Sequence, residues 1–206
     1  MKVLIINGSP RKDGNTSVAL NEMTKVFEEQ GIDAEVVQIG NKDVRGCIAC
    51  GSCATKGKCV FDDVVNELAP KFEEADGLVV ASPVYYASAN ATLIACLDRL
   101  FYSTGNIPKH MKVGAAVVSC RRGGNTASFD VLNKYFTISS MPVASSTYWN
   151  QIHGFTAEDA LKDLEGLQTM RNLARNMSFM IKSFVNAKEQ WPEVERGNFT
   201  SFPDGK

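Results

Sequence analysis

Short apolar runs alternate along the chain with longer stretches whose apolar residues recur every three or four positions. Val3, Leu4, Ile5 and Ile6 form an unbroken, partly β-branched run, as expected of a strand covered on both faces. Gly8, Pro10 and Gly14 then interrupt regular structure, and Val18, Met23, Val26 and Phe27 follow at helical spacing, with Asn15 or Thr16 as the expected cap. Gly31 marks a turn before a second strand at 34–39. After an irregular stretch at 41–59, Asp62 or Asp63 is expected to cap a helix with the stripe Val64, Val65, Leu68 and Phe72. A third strand at 77–81 runs into SPVYYASAN, where Ser88, Ala89 and Asn90 are expected to begin a helix carrying Leu93, Ile94, Leu97, Leu100 and Phe101. A fourth strand at 112–119 leads through RRGGNT to a helix with Phe129, Leu132, Tyr135 and Phe136, and a fifth strand is expected at 142–148, closed by Trp149 and Asn150. The last helix, 158–186, shows Leu161, Leu164, Leu167, Met170, Leu173, Met177, Met180, Ile181 and Phe184 on one stripe. From Lys188 the chain loses periodicity, although Trp191, Pro192 and Phe199 lie there.

Strand and helix alternating five times predict an α/β fold: a three-layer, doubly wound, five-stranded parallel sheet, because right-handed crossovers put helices on both faces. Ligands then bind beyond the C-terminal ends of the strands. The length of 206 residues with 44% hydrophobic content suits one domain, taken as 1–187 with a cysteine-rich insert at 44–61, followed by a tail at 188–206. A formal net charge of -1, with both signs mixed along the chain, gives no footprint for nucleic acid. The N-terminal apolar run is too short for a signal-peptide core, and no run of about 18 apolar residues predicts a membrane span. A cytoplasmic protein is expected, in which six cysteines serve as thiols or metal ligands rather than disulfides.

Three loops share the expected ligand edge: GSPRKDGNT, SPVYYASAN and CRRGGNT. The first offers backbone N–H groups, hydroxyls and a helix start to an anion, and an ordinary capped turn explains the same residues without a ligand. It lacks the spacing of a dinucleotide fingerprint and the GK[ST] ending of a nucleoside triphosphatase. In the second, aromatic and small apolar groups beside polar backbone suit a flat ring, and covering the sheet edge is the alternative role of Tyr85 and Tyr86. Gly123 and Gly124 permit close approach by the third loop. Cys47, Cys50, Cys53 and Cys59 read C-x2-C-x2-C-x5-C; Cys96 and Cys120 sit in apolar surroundings and read as packing residues. His110 and His153, the two histidines, have no partner at metal or triad spacing. No GxSxG or HExxH motif supports a hydrolase.

Together, GSPRKDGNT at 8–16, GCIACGSCATKGKCVFDD at 46–63, SPVYYASAN at 82–90 and STYWN at 146–150 make the chain resemble the flavodoxin-like NAD(P)H-dependent FMN reductases, quinone reductases and iron–sulfur flavoproteins. The resemblance implies strand order 2-1-3-4-5, with FMN at the switch point between the first and third strands. It implies that Ser9, Arg11, Asn15, Thr16 and Ser17 hold the FMN phosphate, and that Pro83, Val84, Tyr85 and Tyr86 meet the isoalloxazine ring. Ser88, Ala89 and Asn90 then meet the ring or a neighbouring subunit's site, while Gly123 and Gly124 approach the far edge of the flavin. Cys47, Cys50, Cys53 and Cys59 are implied to hold a [4Fe–4S] cluster. The spacing departs from that of bacterial ferredoxins by five residues before the last cysteine and Val60 in place of proline. A zinc site, or reduced cysteines forming a lid near the flavin, are the alternatives.

The implied activity is that of a homodimeric or homotetrameric FMN oxidoreductase. NAD(P)H or a reduced ferredoxin would supply electrons, and a quinone or other small molecule would accept them. The flavin carries the chemistry, so no catalytic side chain is required. A non-catalytic flavodoxin-type carrier and a cysteine-based metal or redox sensor are the other classes that the residues allow.

Overall fold

The computed structural model describes residues 1–198 and 200; Phe199 and 201–206 lie outside the described residues. In β1 (Lys2–Asn7), side chains alternate between two cores. Val3 and Ile5 face one cluster, Leu4 and Ile6 the other, and all four are 2% exposed or less. Burial of that completeness contributes about 1.5–3 kcal/mol for each large aliphatic side chain, which explains why the run forms a central strand. After β1 come α1 (Asn15–Glu29), β2 (Asp33–Gln38), α2 (Ser52–Lys56) and α3 (Val64–Glu74). The chain continues through β3 (Gly77–Tyr85), β4 (Ser88–Ala89), α4 (Ala91–Ser103), β5 (Val113–Cys120) and α5 (Asn125–Thr137). It ends with β6 (Gln151–His153), α6 (Ala157–Ala160) and α7 (Leu164–Asn186).

The parallel strands run in the order β2-β1-β3-β5-β6, with β4 paired antiparallel to β3. Counting the parallel strands alone, this is the expected order 2-1-3-4-5. Residues of α1 and α7, including Met23, Phe27, Met170 and Met177, pack on one face. Residues of α3, α4 and α5, including Phe72, Leu97 and Phe136, pack on the other. The result is a three-layer doubly wound sheet.

The fifth parallel strand is not at 142–148. Val143 makes one isolated bridge with Gly114, and the chain beyond it bonds to α7 instead. Asn176 Nδ2 donates to the Ser145 carbonyl at 2.8 Å, and the Ser146 hydroxyl donates to the Thr169 carbonyl at 2.7 Å. Trp149 and Asn150 therefore precede β6 instead of closing a strand. Buried Asn150 bridges the gap, its Nδ2 donating to the Ala116 carbonyl and its carbonyl accepting Val118 N–H.

The final helix is divided at 161–163. Asp163 caps α7 by accepting Gly166 N–H at 2.9 Å and also accepts His153 N–H at 2.7 Å, so the chain cannot continue from α6. Leu161 and Leu164 consequently point outward. Beyond α7, Trp191 Nε1 donates to the Phe184 carbonyl and its ring meets His110 edge-on. This contact and His110 lie near the N-terminal ends of the strands, at the opposite edge from the candidate ligand loops. No helix among the described residues is long and apolar enough to cross a membrane.

Candidate functional site

Three loops meet beyond the C-terminal ends of β1, β3 and β5. The first is fastened from below: Gly8 N–H donates to the Ala81 carbonyl at 2.8 Å, and Ser9 N–H to Asn7 Oδ1 at 2.9 Å. Asn7 Nδ2 reaches Ser17 Oγ and Gln38 Oε1, while Gln38 Nε2 donates to the Ser9 carbonyl. A Cβ on Gly40 would overlap the backbone of Gly8 and Ser9, so the chain after β2 lies directly against this loop.

The hydroxyl groups expected to face a phosphate help fix the loop itself. Ser9 Oγ accepts Arg11 N–H at 3.2 Å, Ser17 Oγ donates to the Lys12 carbonyl at 2.6 Å, and buried Thr16 Oγ1 lies 2.8 Å from Ser119 Oγ. Asn15 Nδ2 donates to the Gly154 carbonyl, joining the start of α1 to the loop after β6. Asn15 and Thr16 therefore do not cap α1, because both lie in its first turn. Its N-cap is Gly14, which offers no side-chain acceptor. Among the longer described helices, α3, α4 and α7 begin on side-chain caps from Asp63, Asn90 and Asp163, whereas α1 and α5 begin at Gly14 and Gly124 without one. These two helices follow the first and third loops, and neither has an acidic residue in its first turn. Their leading N–H groups and positive dipole ends suit an electron-rich ligand, and Arg11 is exposed beside the first.

The second loop is a tight hairpin instead of a helix start. Val84 pairs with Ala89 and Tyr85 with Ser88, so Ser88 and Ala89 belong to β4, and α4 begins after Asn90. At its tip, Ala87 N–H donates to the Tyr85 carbonyl at 2.8 Å around Tyr86, whose φ is +59. This is a strained γ-turn, and it leaves the Tyr86 ring fully exposed and Tyr85 about half exposed. Pro83 and Val84 are partly buried behind them. The third loop touches the second: Gly124 has φ +88, and a Cβ there would lie 2.7 Å from Val84 Cγ1. Gly123 beside it is exposed. Pro83, Val84, Tyr85, Tyr86, Gly123 and Gly124 thus form one continuous rim.

The cysteine loop leaves β2 at the same edge. Cys47, Cys50, Cys53 and Cys59 line one shallow, largely apolar pocket, together with Ile48, Phe61, Arg99 and Tyr102. Positive φ at Ala49 (+53), Gly51 (+68) and Gly57 (+68) turns the backbone around it, and Ala49 N–H points to Cys47 Sγ at 3.4 Å. Arg99, 1% exposed, forms the floor. It pairs at two points with Asp63, at 2.7 and 2.9 Å, and sends Nε and Nη2 to Cys59 Sγ at 3.3 and 3.2 Å. Burial opposes the charge on Arg99, but the bonds to Asp63 and Cys59 prevail and hold its pKa above the ordinary value. Asn66 fastens the same segment by accepting Cys59 N–H and donating to the Cys59 and Phe61 carbonyls.

No three His, Cys, Asp or Glu side chains among the described residues converge around a single metal ion. Tetrahedral zinc would need sulfurs about 3.8 Å apart. The four thiols line one pocket, and N–H groups are directed at two of the sulfurs, those of Cys47 and Cys59. Cys96 is buried in α4, where desolvation pushes its thiol up to about 12. Burial also raises Cys120. Both keep their protons and act as packing residues.

A sequence model of the NADPH-dependent FMN reductase family matches residues 1–155. The chain belongs to that family. It is 34% identical over 189 residues to the iron–sulfur flavoprotein MJ1083 of Methanocaldococcus jannaschii, a match covering 88% of this chain and 98% of the relative. Two solved structures share the fold at lower identity. RosB, determined with bound 8-demethyl-8-formylriboflavin-5'-phosphate, superimposes with a TM-score of 0.70 at 16% identity, covering 98% of this chain and 93% of RosB. A flavodoxin from the domain Archaea superimposes with a TM-score of 0.60 at 17% identity, covering 88% of this chain and 99% of the flavodoxin. The chain is a flavodoxin-like flavoprotein oxidoreductase whose flavin is FMN.

Within this FMN reductase fold, Asn7, Gln38 and Gly40 support the first loop, and Asp63, Asn66 and Arg99 support the cysteine loop. Asp63 closes the cysteine motif and is expected from the sequence only as a helix cap; the other five lie outside the loop motifs. Arg99 does carry a readable signal: it continues the spacing of Leu93, Cys96 and Ser103, which places a cation on the buried side of α4. His153 sits at the end of β6 with Nδ1 3.5 Å from Asp163 and Nε2 3.3 Å from Asn125 Nδ2.

Proposed function

We propose that this protein moves electrons from NAD(P)H or a reduced ferredoxin, through FMN, to a quinone or another small acceptor, with a [4Fe–4S] cluster on Cys47, Cys50, Cys53 and Cys59 as a one-electron station. The observation that carries this reading is the presence, at one edge of the sheet, of an uncapped phosphate-type loop, a paired aromatic and glycine rim, and a four-thiol pocket. Bound FMN exchanges one or two electrons and a bound cluster exchanges one, so the pair would match donors and acceptors of different electron number.

In this reading the amides at the start of α1 and the charge on Arg11 receive the phosphate. Ser9, Asn15, Thr16 and Ser17 hold that loop in shape. Pro83, Val84, Tyr85 and Tyr86 border the ring on one side, with Gly123 and Gly124 on the other. The half-exposed ring of Tyr85, the exposed rings of Tyr86 and Tyr102, and the exposed side chains of Ile48 and Val60 support a homodimer or homotetramer in which another copy covers this edge. Sedimentation that finds only monomer would remove the oligomer.

The test is anaerobic purification followed by a visible spectrum, iron and sulfide analysis, and turnover of NADH and NADPH with a quinone. The expected result is one FMN per chain with about four irons and four sulfides, together with nucleotide oxidation. Yellow protein without iron after anaerobic reconstitution would leave the flavin and dismiss the cluster. Flavin-loaded protein that oxidises neither nucleotide would dismiss the NAD(P)H reductase.

A further inference from the structure

The helix α4 joins the two parts of this edge. Asn90 at its start donates its N–H to Ser82 Oγ in β3 at 2.8 Å and caps Leu93 N–H at 3.1 Å. Nine residues later, about 14 Å along a helix, Arg99 lies beneath the cysteine pocket. Its planar fork makes six hydrogen bonds: two to Asp63, two to Cys59 Sγ, and one each to the carbonyls of Arg45 and Phe61. The Phe61 ring lies 5.1 Å from the guanidinium carbon. Asp63 alone would neutralise the cation. What it leaves unexplained is why two N–H groups are aimed at one sulfur, and why only Cys59 among the four thiols meets a cation.

A thiolate that accepts hydrogen bonds from a cation holds its negative charge more tightly and donates less of it to iron. Cluster potentials rise with hydrogen bonds to sulfur and with nearby positive charge, and fall with nearby negative charge. We propose that Arg99 is a positioning residue that anchors Cys59 as a cluster ligand and raises the reduction potential of the cluster, with Asp63 as the counter-charge that limits the rise. The inference rests on the cluster reading above. It makes the cysteine pocket asymmetric, with a single corner tuned from inside the fold by the same helix that begins at the flavin loops.

Two variants give opposite signs. Asp63→Asn removes the counter-charge but keeps a good N-cap for α3, since Asn caps as well as Asp; the potential is expected to shift upward. The double variant Arg99→Met/Asp63→Asn removes both charges and both N–H···S bonds without leaving an unpaired carboxylate, and the potential is expected to shift downward. The readout is a dithionite titration of reconstituted full-length protein followed by electron paramagnetic resonance, with flavin content and circular dichroism as folding controls. Should the double variant not fold, Arg99→Lys keeps the charge while losing the two-point contact with sulfur, and a downward shift is again expected. Shifts of the same sign in Asp63→Asn and the Arg99 variant, or no shift, overturn the inference while leaving the cluster intact. Wild-type protein that takes up no iron and sulfide overturns both.

Discussion

The first loop and the cysteine loop leave adjacent strands at the same edge of the sheet, yet they are made in opposite ways. The first loop is complete without a ligand: Ser9 and Thr16 are buried, its hydroxyls have partners, and Asn7, Gln38 and Gly40 brace its backbone. The cysteine loop is complete only in its second half, where Asn66 and Arg99 hold Cys59 and Phe61. In the first half, residues 46–50 make one hydrogen bond, between Ala49 and Cys47, and Cys47 and Cys50 are exposed. A preformed loop spends little ordering entropy when its ligand arrives. A half-formed loop would take its remaining order from whatever it binds, as metal-linked segments do.

The strongest blow to this contrast is Arg99→Met with Asp63 retained. It leaves a partly buried carboxylate without its partner, so a loss of about 3 kcal/mol in urea unfolding is expected. Alkylation of Cys59 in iron-free protein should approach the rate of Cys47, with Cys96 as the unreactive reference. An unchanged midpoint would mean that the second half of the cysteine loop is no better fastened than the first.

Next is Gly14→Asp, which supplies the cap that α1 lacks. Gly14 has φ -96, within reach of ordinary residues, and a Cβ there would come no closer than 3.2 Å to Arg11 Cβ. The apo protein should gain about a few tenths of a kcal/mol, while FMN should bind at least about tenfold more weakly, a difference of about 1.4 kcal/mol. Thermal melting and fluorescence titration read the two effects. Tighter flavin binding would show that the start of α1 is not used for the phosphate.

Tyr86→Gly separates strain from contact in the same manner. Releasing the left-handed backbone should stabilise the apo protein by about 0.5–1 kcal/mol net, and loss of the ring should weaken FMN. If affinity is unchanged, the ring of Tyr86 does not meet the flavin.

The smallest expected effect lies behind the first loop, where Glu22 of α1 accepts Arg171 of α7 at 2.9 Å and Lys25 at 3.1 Å. Burial pushes the Glu22 carboxyl up, but these bonds outweigh it and hold the group below its ordinary value. A carboxyl depressed by folding stabilises the protein above its unfolded pKa and loses that contribution as pH falls through the folded one. Glu22→Gln should therefore be less stable than wild type at pH 7, with the gap closing below about pH 4 in chemical unfolding.

Those apolar runs that are buried on both sides could be read directly. β1 and β5 lie near their expected places because few other structures accommodate Val3 to Ile6 or Val113 to Val118. The short β6 could not be read that way: it has one apolar residue, Ile152, in three. The more strand-like 142–148 is diverted by hydrogen bonds to α7, which lies far away in sequence. Asp163 interrupts an apolar stripe whose spacing continues through it, and its role as a cap depends on Gly166 and His153 together. The four cysteines stood out by spacing, whereas Arg99 and Asp63, which shape their pocket, are separated by 36 positions. The glycines at 14 and 124 carried a clue in the sequence: a helix beginning on glycine, with no acid in its first turn, leaves room for an anion.

The close approach of Gly40 to Gly8 and Ser9 has a consequence for how the cysteine loop relates to the rest of the molecule. Gly40 fixes the departure of the chain against the phosphate-type loop, and Asn66 and Asp63 fix its return at the start of α3. Between these anchors the segment is held to the fold by Arg99, which reaches Arg45, Cys59 and Phe61. Chimeras that take the span between 40 and 62 from a relative, and keep an acceptor for Arg99, are therefore expected to change the cysteine loop while the first loop keeps its shape.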